Sequence, residues 1–138
     1  MKRLVLGTRS PDKVREIRRM LAGLPLRLDS LPDGAPVVEE TASTFRGNAE
    51  RKAFQLARHL GTWVLADDSG LEVDALGGEP GVRSHRYAGE ACDDQANNRK
   101  LAGAMSGIPE SKRTARYVCA MALASPAGVA SVVEGVSE

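Results

Sequence analysis

The chain has few of the residues from which metal clusters and disulfide frameworks are built. It contains two cysteines and two histidines among 138 residues. Cys92 and Cys119 lie far apart and match no metal-binding spacing, so we expect two reduced thiols rather than a disulfide framework. His59 and His85 have no cysteine or histidine partner at ligand spacing. We therefore interpret both histidines as surface or packing residues.

Long hydrophobic runs and an excess of one charge are also absent. The longest apolar run, residues 118–124, is far too short to span a bilayer, and the first residues do not resemble a cleavable signal peptide. Nineteen basic and eighteen acidic side chains leave a net charge of +1, so no overall field favours nucleic acid or a membrane surface. We therefore expect a cytoplasmic protein that binds neither, although a local basic site is compatible with this balance.

The composition that is present is that of an ordinary globular protein. Hydrophobic residues make up 42% of the chain and charged residues 27%, and 138 residues is about the size of one domain. Strand-like segments alternate with helix-like ones, which predicts a mixed α/β architecture in a single domain over residues 1–138. The predicted strands are residues 4–6, 26–28, 62–66, 71–76, 116–123 and 129–136, and the predicted helices begin near Ser10, at Thr41 or Thr44, and near Asp93.

The most informative segment is ADDSGL, residues 66–71, directly after an apolar run. Two carboxylates, a hydroxyl and a glycine predict a turn that presents oxygen ligands at the mouth of a cleft. Such donors suit Mg²⁺, which often shares them with substrate phosphates, but a purely structural turn uses the same residue types. Because successive side chains of an extended segment point to opposite faces, we expect one of Asp67 and Asp68 to face the cleft and the other to be held by hydrogen bonds.

A second candidate site is the start of the first predicted helix. Ser10 suits the N-cap and Pro11 the first helical position, where free N–H groups and a partial positive charge accept phosphate. Thr8 adds a hydroxyl and Arg9 a charge. Lys13 lies in the first turn, where a cation is unfavourable unless an anion binds. The alternative is an ordinary capped helix, and the P-loop spacing is absent.

Three further polar residues can complete such a site. Glu39 and Glu40 precede the second predicted helix. Adjacent acids on a loop usually form a solvated surface, but one of them can share a metal ion with an acid of the 67–68 pair. Lys52 adds a cation on the second helix. We therefore predict that a mid-chain acid and the first helix start converge on one divalent ion and one polyphosphate.

Three blocks of the sequence resemble the inosine triphosphate pyrophosphatases, a family that clears non-standard purine nucleoside triphosphates. The blocks are LGTRSPDKVRE at residues 6–16, EETASTFRGNA at 39–49 with Lys-Ala following at 52–53, and ADDSGLEVDALGGEPGVRSHRYAG at 66–89. Their order and spacing are specific. The resemblance extends over essentially the whole chain.

The resemblance implies an elongated, two-lobed mixed-sheet α/β fold with a central cleft, usually a homodimer. It implies Mg²⁺-dependent hydrolysis of ITP, dITP or XTP to the monophosphate and pyrophosphate. Asp68 resembles the proton acceptor of the family, and Glu39 and Asp68 resemble its magnesium ligands. The substrate contacts implied by the match are Thr8, Arg9, Ser10, Pro11, Asp12, Lys13, Lys52 and Ser69.

The chain departs from the family pattern in two ways. The family often has Asn at the position of Ser10 and Gly at that of Arg9, which affects only the fine geometry of the loop. The family also continues with Phe-Gly-Tyr-Asp and Ser-His-Arg motifs that help to recognise the base. Neither motif follows here, and the Ser-His-Arg triplet at residues 84–86 belongs to a different block. We therefore expect a C-terminally truncated member with weak activity or none on its own.

Two alternatives stay open at this stage. A nucleotide pyrophosphatase of the septum-inhibitor type shares the general architecture, although its sequence blocks fit less well. A nucleotide-binding or dimerisation module that has lost catalysis would keep the same scaffold. The presence of Asp68, Glu39 and Lys13 favours an enzyme, and the missing terminal motifs favour the module.

Overall fold

The computed structural model describes residues 2–138, which fold around a five-stranded mixed sheet. The order across the sheet is β2-β1-β3-β4-β5, with β1 parallel to β2 and β3 and with β4 antiparallel to β3 and β5. No helix among these residues is long and apolar enough to cross a membrane. The elements are β1 (Lys2–Leu6), α1 (Pro11–Met20), β2 (Leu26–Ser30), α2 (Phe45–Leu60), β3 (Trp63–Val73), α3 (Asp94–Ala104), β4 (Ala115–Ser125) and β5 (Gly128–Ser137).

The two faces of the sheet pack against different helices. Because side chains alternate along each strand, every strand contributes residues to both faces. Val5 and Val64 belong to one buried cluster with Leu56 of α2. On the other face, Leu65 lies near Ile17 of α1. Successive residues of β3 therefore enter two separate environments, one formed with α1 and the other with α2.

The second helix begins and ends at residues with clear capping chemistry. Of the two predicted N-caps, Thr41 and Thr44, the structure uses Thr44, whose Oγ1 accepts a hydrogen bond from the N–H three residues later over 3.0 Å. Gly61 ends the helix with a φ of 66°, a left-handed conformation that suits glycine. Asn48 and Lys52, one turn apart, consequently lie on the same side of α2.

The cap leads to a prediction about stability. Thr44→Ala should lower the free energy of unfolding by about 1 kcal/mol, because the first turn loses its side-chain acceptor. Thr41→Ala is the matched control, since Thr41 is exposed and precedes the helix, and it should change stability by less than about 0.5 kcal/mol. Urea denaturation followed by circular dichroism measures both. Equal losses in the two variants would contradict the assigned cap.

The turn predicted at residues 66–70 is wrong, because these residues lie inside β3. Strand β3 pairs with β4 from Val64 opposite Ala124 to Val73 opposite Ala115 without a register shift. Pairing with a long, largely apolar partner overrides the local preference of Asp, Ser and Gly for turns. The two aspartates are therefore presented by a rigid strand and not by a loop.

Strand β3 extends well beyond its parallel neighbour. It pairs with β1 only from Trp63 to Leu65, and the Gly7 N–H then donates to the Leu65 carbonyl over 2.7 Å. Beyond Leu65, this edge of β3 pairs with no other strand of the described sheet. The chain leaves β1 towards β2, on the side away from β3, so the carboxyl end of β1 lies beside the middle of β3 at a topological switch point, the usual ligand position in α/β sheets.

Candidate active site

The start of α1 has the cap that the sequence predicts. Ser10 Oγ accepts a hydrogen bond from the Lys13 N–H over 3.3 Å, and Thr8 Oγ1 accepts one from the Ser10 N–H over 3.1 Å. Pro11 is the first helical residue. These bonds fix the loop between β1 and α1. The free N–H groups and positive end of the α1 dipole therefore lie beside the switch point.

Two predicted phosphate-loop residues use their side chains elsewhere. Arg9 Nη2 donates to the Ala35 carbonyl over 2.5 Å, so its guanidinium holds the loop that follows β2. Asp12 pairs with Arg15 on the exposed side of α1. A crevice of about 630 Å³ lies beside Thr8 and Arg9. Both side chains thus have partners within the protein, and a role of Arg9 and Asp12 as substrate contacts stays a prediction.

Asp67 and Asp68 project from opposite faces of β3. On the α1 face, Asp67 Oδ2 lies 2.8 Å from Lys13 Nζ. On the α2 face, Asp68 Oδ2 accepts a hydrogen bond from Asn48 Nδ2 over 3.0 Å. Both residues are buried, with 4% and 2% of their surface exposed. Direct contact with the start of α1 is thus made by Asp67 and not by Asp68, the aspartate to which the resemblance assigns the metal ion and the proton transfer.

The α1 face holds an ion pair with an unusual feature. Burial lowers the pKa of Lys13, but the charge of Asp67 and its hydrogen bond outweigh burial, so the pKa is raised overall. Lys13 is therefore cationic at neutral pH. Asp67 Oδ1 is buried without a hydrogen-bond partner among residues 2–138. On this face Ser69 Oγ also lies 2.9 Å from the Tyr117 hydroxyl.

The α2 face holds a carboxyl group with a strongly shifted pKa. Burial raises the pKa of Asp68 to about 6, and the negative charge of Glu40 acts in the same direction. The hydrogen bond from Asn48 and the positive charges of Lys52 and Lys13 act in the opposite direction. Asp68 is therefore mostly ionised at neutral pH, yet it still accepts a proton readily, as a general base must.

The structure distinguishes the two adjacent glutamates. Glu40 Oε1 lies 3.2 Å from Lys52 Nζ, and both side chains are largely buried. Glu39 is exposed, and its carbonyl accepts a hydrogen bond from Arg51 Nε over 3.2 Å. A crevice of about 610 Å³ is lined by both glutamates. Glu40 is thus the glutamate whose charge acts on Asp68, and the metal-binding role that the resemblance implies for Glu39 stays a prediction.

The donor set on the α2 face fits a magnesium ion. The charge of Glu40 adds to the burial that raises the pKa of Asp68, and a divalent cation would relieve this repulsion. Within residues 2–138, no three His, Cys, Asp or Glu side chains form a metal-binding group. Mg²⁺ commonly takes one or two carboxylates and fills its other positions with water and phosphate oxygens. The arrangement therefore suits an ion shared with a polyphosphate.

Two residues of the site were not found by sequence reasoning. Asn48 is 1% exposed; its Oδ1 accepts from the Ala42 N–H over 2.8 Å while its Nδ2 reaches Asp68. The available signal was a polar side chain on the apolar face of a predicted helix. Tyr117 meets Ser69 only because β4 pairs with β3. No local pattern marks such a long-range contact.

Comparison with known proteins places the chain among nucleotide hydrolases. Residues 4–138 match the Ham1 family. A dITP/XTP pyrophosphatase of Exiguobacterium sibiricum is 48% identical over 138 residues, which cover 99% of this chain and 70% of that protein. A dITP/XTP pyrophosphatase of Geobacter sulfurreducens is 51% identical over 130 residues, covering 93% of this chain and 65% of that protein.

Solved structures agree with the fold. A HAM1 protein from Coxiella burnetii gives a TM-score of 0.90 at 35% identity, covering 99% of this chain and 71% of that one. The Ham1 protein of Staphylococcus aureus gives a TM-score of 0.84 at 35% identity, covering 98% of this chain and 69% of that one. The predicted α/β fold is confirmed, and so is the predicted enzyme class, a nucleotide pyrophosphatase acting on acid anhydrides. This chain belongs to the Ham1 family.

Proposed function

We propose that the chain catalyses Mg²⁺-dependent hydrolysis of the non-canonical purine nucleotides ITP, dITP and XTP to the monophosphate and pyrophosphate, which removes them from the nucleotide pool. The names of its curated relatives support the substrates. The observation that carries the proposal is the buried Asp68, whose pKa of about 6 is set among the charges of Glu40, Lys52 and Lys13. These groups support the proposal because they combine a proton acceptor with two cations, one of which, Lys13, lies in the first turn of α1.

In the proposed reaction, water attacks the α-phosphorus and the bond from that phosphorus to the oxygen bridging to the β-phosphate breaks. Asp68 accepts the proton of the water, and the hydrogen bond from Asn48 orients the carboxylate. Lys13, Lys52 and the first N–H groups of α1 stabilise the negative charge that develops on the departing pyrophosphate. The chain thus supplies the base and the anion-binding groups from three different elements.

Further parts of the proposal follow from the resemblance. A bound Mg²⁺ would be held by Asp68 with Glu39 or Glu40 and would neutralise charge on the phosphate oxygens. A homodimer, which light scattering can test, and a cytoplasmic location also belong to the proposal. The proposed substrate contacts are Thr8, Arg9, Ser10, Pro11, Asp12, Lys13, Lys52 and Ser69.

Incubation with single nucleotides tests this function directly. ITP, dITP, XTP, ATP and GTP are each mixed with the chain and Mg²⁺, and pyrophosphate and monophosphate are quantified. We expect the two products in equal amounts, and a fall of about 100-fold or more when a chelator removes the metal, since metal ions contribute several kcal/mol to such reactions. Release of orthophosphate would contradict the proposal. Nucleotide binding without turnover would support a catalytically impaired binding module.

A further inference from the structure

We propose that Asp67 is a positioning residue for Lys13, which it holds at the start of α1 for contact with the substrate polyphosphate. Asp67 directly precedes the proposed proton acceptor in β3 but projects from the opposite face. The proposal rests on the proposed function and adds a residue to it. It assigns the two neighbouring aspartates separate tasks. Asp67 positions the lysine that binds the polyphosphate, and Asp68 accepts the proton of the reacting water.

The contact between the two side chains is close and well shielded. Asp67 Oδ2 lies 2.8 Å from Lys13 Nζ, and the two side chains are 6% and 26% exposed. Lys13 lies in the first turn of α1, where the helix dipole repels a cation. The carboxylate offsets this repulsion and confines a side chain that is otherwise flexible. The ammonium still has hydrogens free to donate to an anion.

Stability does not explain why an acid occupies position 67. The residue opposite it on β4 is Met121, an apolar neighbour. The second carboxylate oxygen of Asp67, Oδ1, is buried without a hydrogen-bond partner among residues 2–138, and an unsatisfied buried polar atom is costly. A well-packed apolar side chain is often neutral or stabilising at the site of a buried ion pair. The arrangement is therefore better explained by what Asp67 does to Lys13 than by what it adds to the core.

Binding of inorganic tripolyphosphate, measured by calorimetry, tests the proposal without requiring turnover. Asp67→Asn should weaken binding about 10-fold and lower kcat/KM for ITP by a similar factor, because the ammonium is no longer confined. In a Lys13→Met background the same substitution should change binding less than about 2-fold, since the group it positions is gone. Asp29→Asn, which breaks an exposed pair with Arg3, is the matched control and should leave binding unchanged.

The outcomes separate this proposal from the proposed function. Unchanged or tighter binding in Asp67→Asn would overturn it, and so would an equal loss in the Lys13→Met background. If Asp67→Asn does not fold, Asp67→Leu supplies the same comparison with an apolar side chain. If the unmodified chain binds tripolyphosphate but hydrolyses no nucleotide, the function fails while the binding series still decides the role of Asp67. If the unmodified chain hydrolyses ITP but binds no tripolyphosphate, the positioning proposal fails while the proposed function stands.

Discussion

Asp68→Asn is expected to lower pyrophosphate release about 1,000-fold at neutral pH, because positioned proton acceptors contribute about 10²–10⁴-fold to such reactions. The substitution keeps the size of the side chain, and its amide oxygen can still accept the hydrogen bond from Asn48 Nδ2. Charge and basicity are therefore removed with little change in packing. A loss of turnover in this variant, with tripolyphosphate binding largely retained, would identify Asp68 as a group that acts on the reaction.

The same substitution should stabilise the metal-free chain. The pKa of Asp68 is raised from 3.8 to about 6 by burial and then by Glu40, so between these values the folded chain keeps a proton that the unfolded chain has lost. The stabilising contribution of the protonated Asp68 is fully present below pH 4 and is lost as the pH rises through 6. At about 1.4 kcal/mol per pKa unit the upper limit is about 3 kcal/mol. Burial of the neutral amide also has a cost, which reduces the expected gain in Asp68→Asn to about 1–2 kcal/mol at pH 7.5.

Thermal unfolding in the presence of a chelator at pH 4 and pH 7.5 measures this effect. Asp68→Asn should unfold at a higher temperature than the unmodified chain at pH 7.5, and the difference should disappear at pH 4. Asp74→Asn is the control of opposite sign. Hydrogen bonds from Thr114 and Arg116 lower the pKa of Asp74, so its removal should not stabilise the chain. A lower unfolding temperature for Asp68→Asn at pH 7.5 would contradict the interpretation that burial and the charge of Glu40 destabilise the ionised Asp68.

The parts of the fold that the sequence predicts are those decided by neighbouring residues. Ser10 with Pro11, and Gly61, act within one helical turn, and the structure has them where the pattern placed them. The segment at 66–70 fails for the opposite reason. Its residue types favour a turn, but its conformation is decided by pairing with a strand some fifty residues away, the register of which no local pattern contains.

The same division explains what could be predicted of the site. Alternation along an extended segment correctly separated Asp67 from Asp68 onto opposite faces, because that depends on backbone geometry alone. Which acid contacts Lys13 depends on the face that α1 covers. That choice, like the preference for Glu40 over Glu39 beside Asp68, is decided by packing between elements. Asn48 and Tyr117 enter the site through the same long-range packing.

The second large effect is expected from Gly70, whose place in β3 depends on close packing. An added Cβ would overlap Ser84 Oγ and would lie 2.7 Å from the Gly81 carbonyl oxygen and 2.9 Å from Phe45 Cε1. A hydroxyl can rotate away, but a carbonyl of the backbone and a buried ring cannot do so cheaply. The Ser84 hydroxyl also accepts a hydrogen bond from the Leu71 N–H over 2.9 Å, so the short 3-10 helix Gly81–Arg86, which carries Ser84, must shift if a methyl group is added.

Gly70→Ala should therefore lower the free energy of unfolding by about 3 kcal/mol, at the upper end of the usual overpacking range. Gly135→Ala is the matched control, because Gly135 also lies in a strand and a Cβ there meets nothing within 4 Å. That control should be neutral or slightly stabilising, since alanine loses less conformational entropy on folding than glycine. Urea denaturation compares the two. If both variants lose the same stability, intrinsic strand preference and not the contact with residues 81–84 decides the cost, and the close packing that holds Asp68 and Ser69 in place would need another explanation.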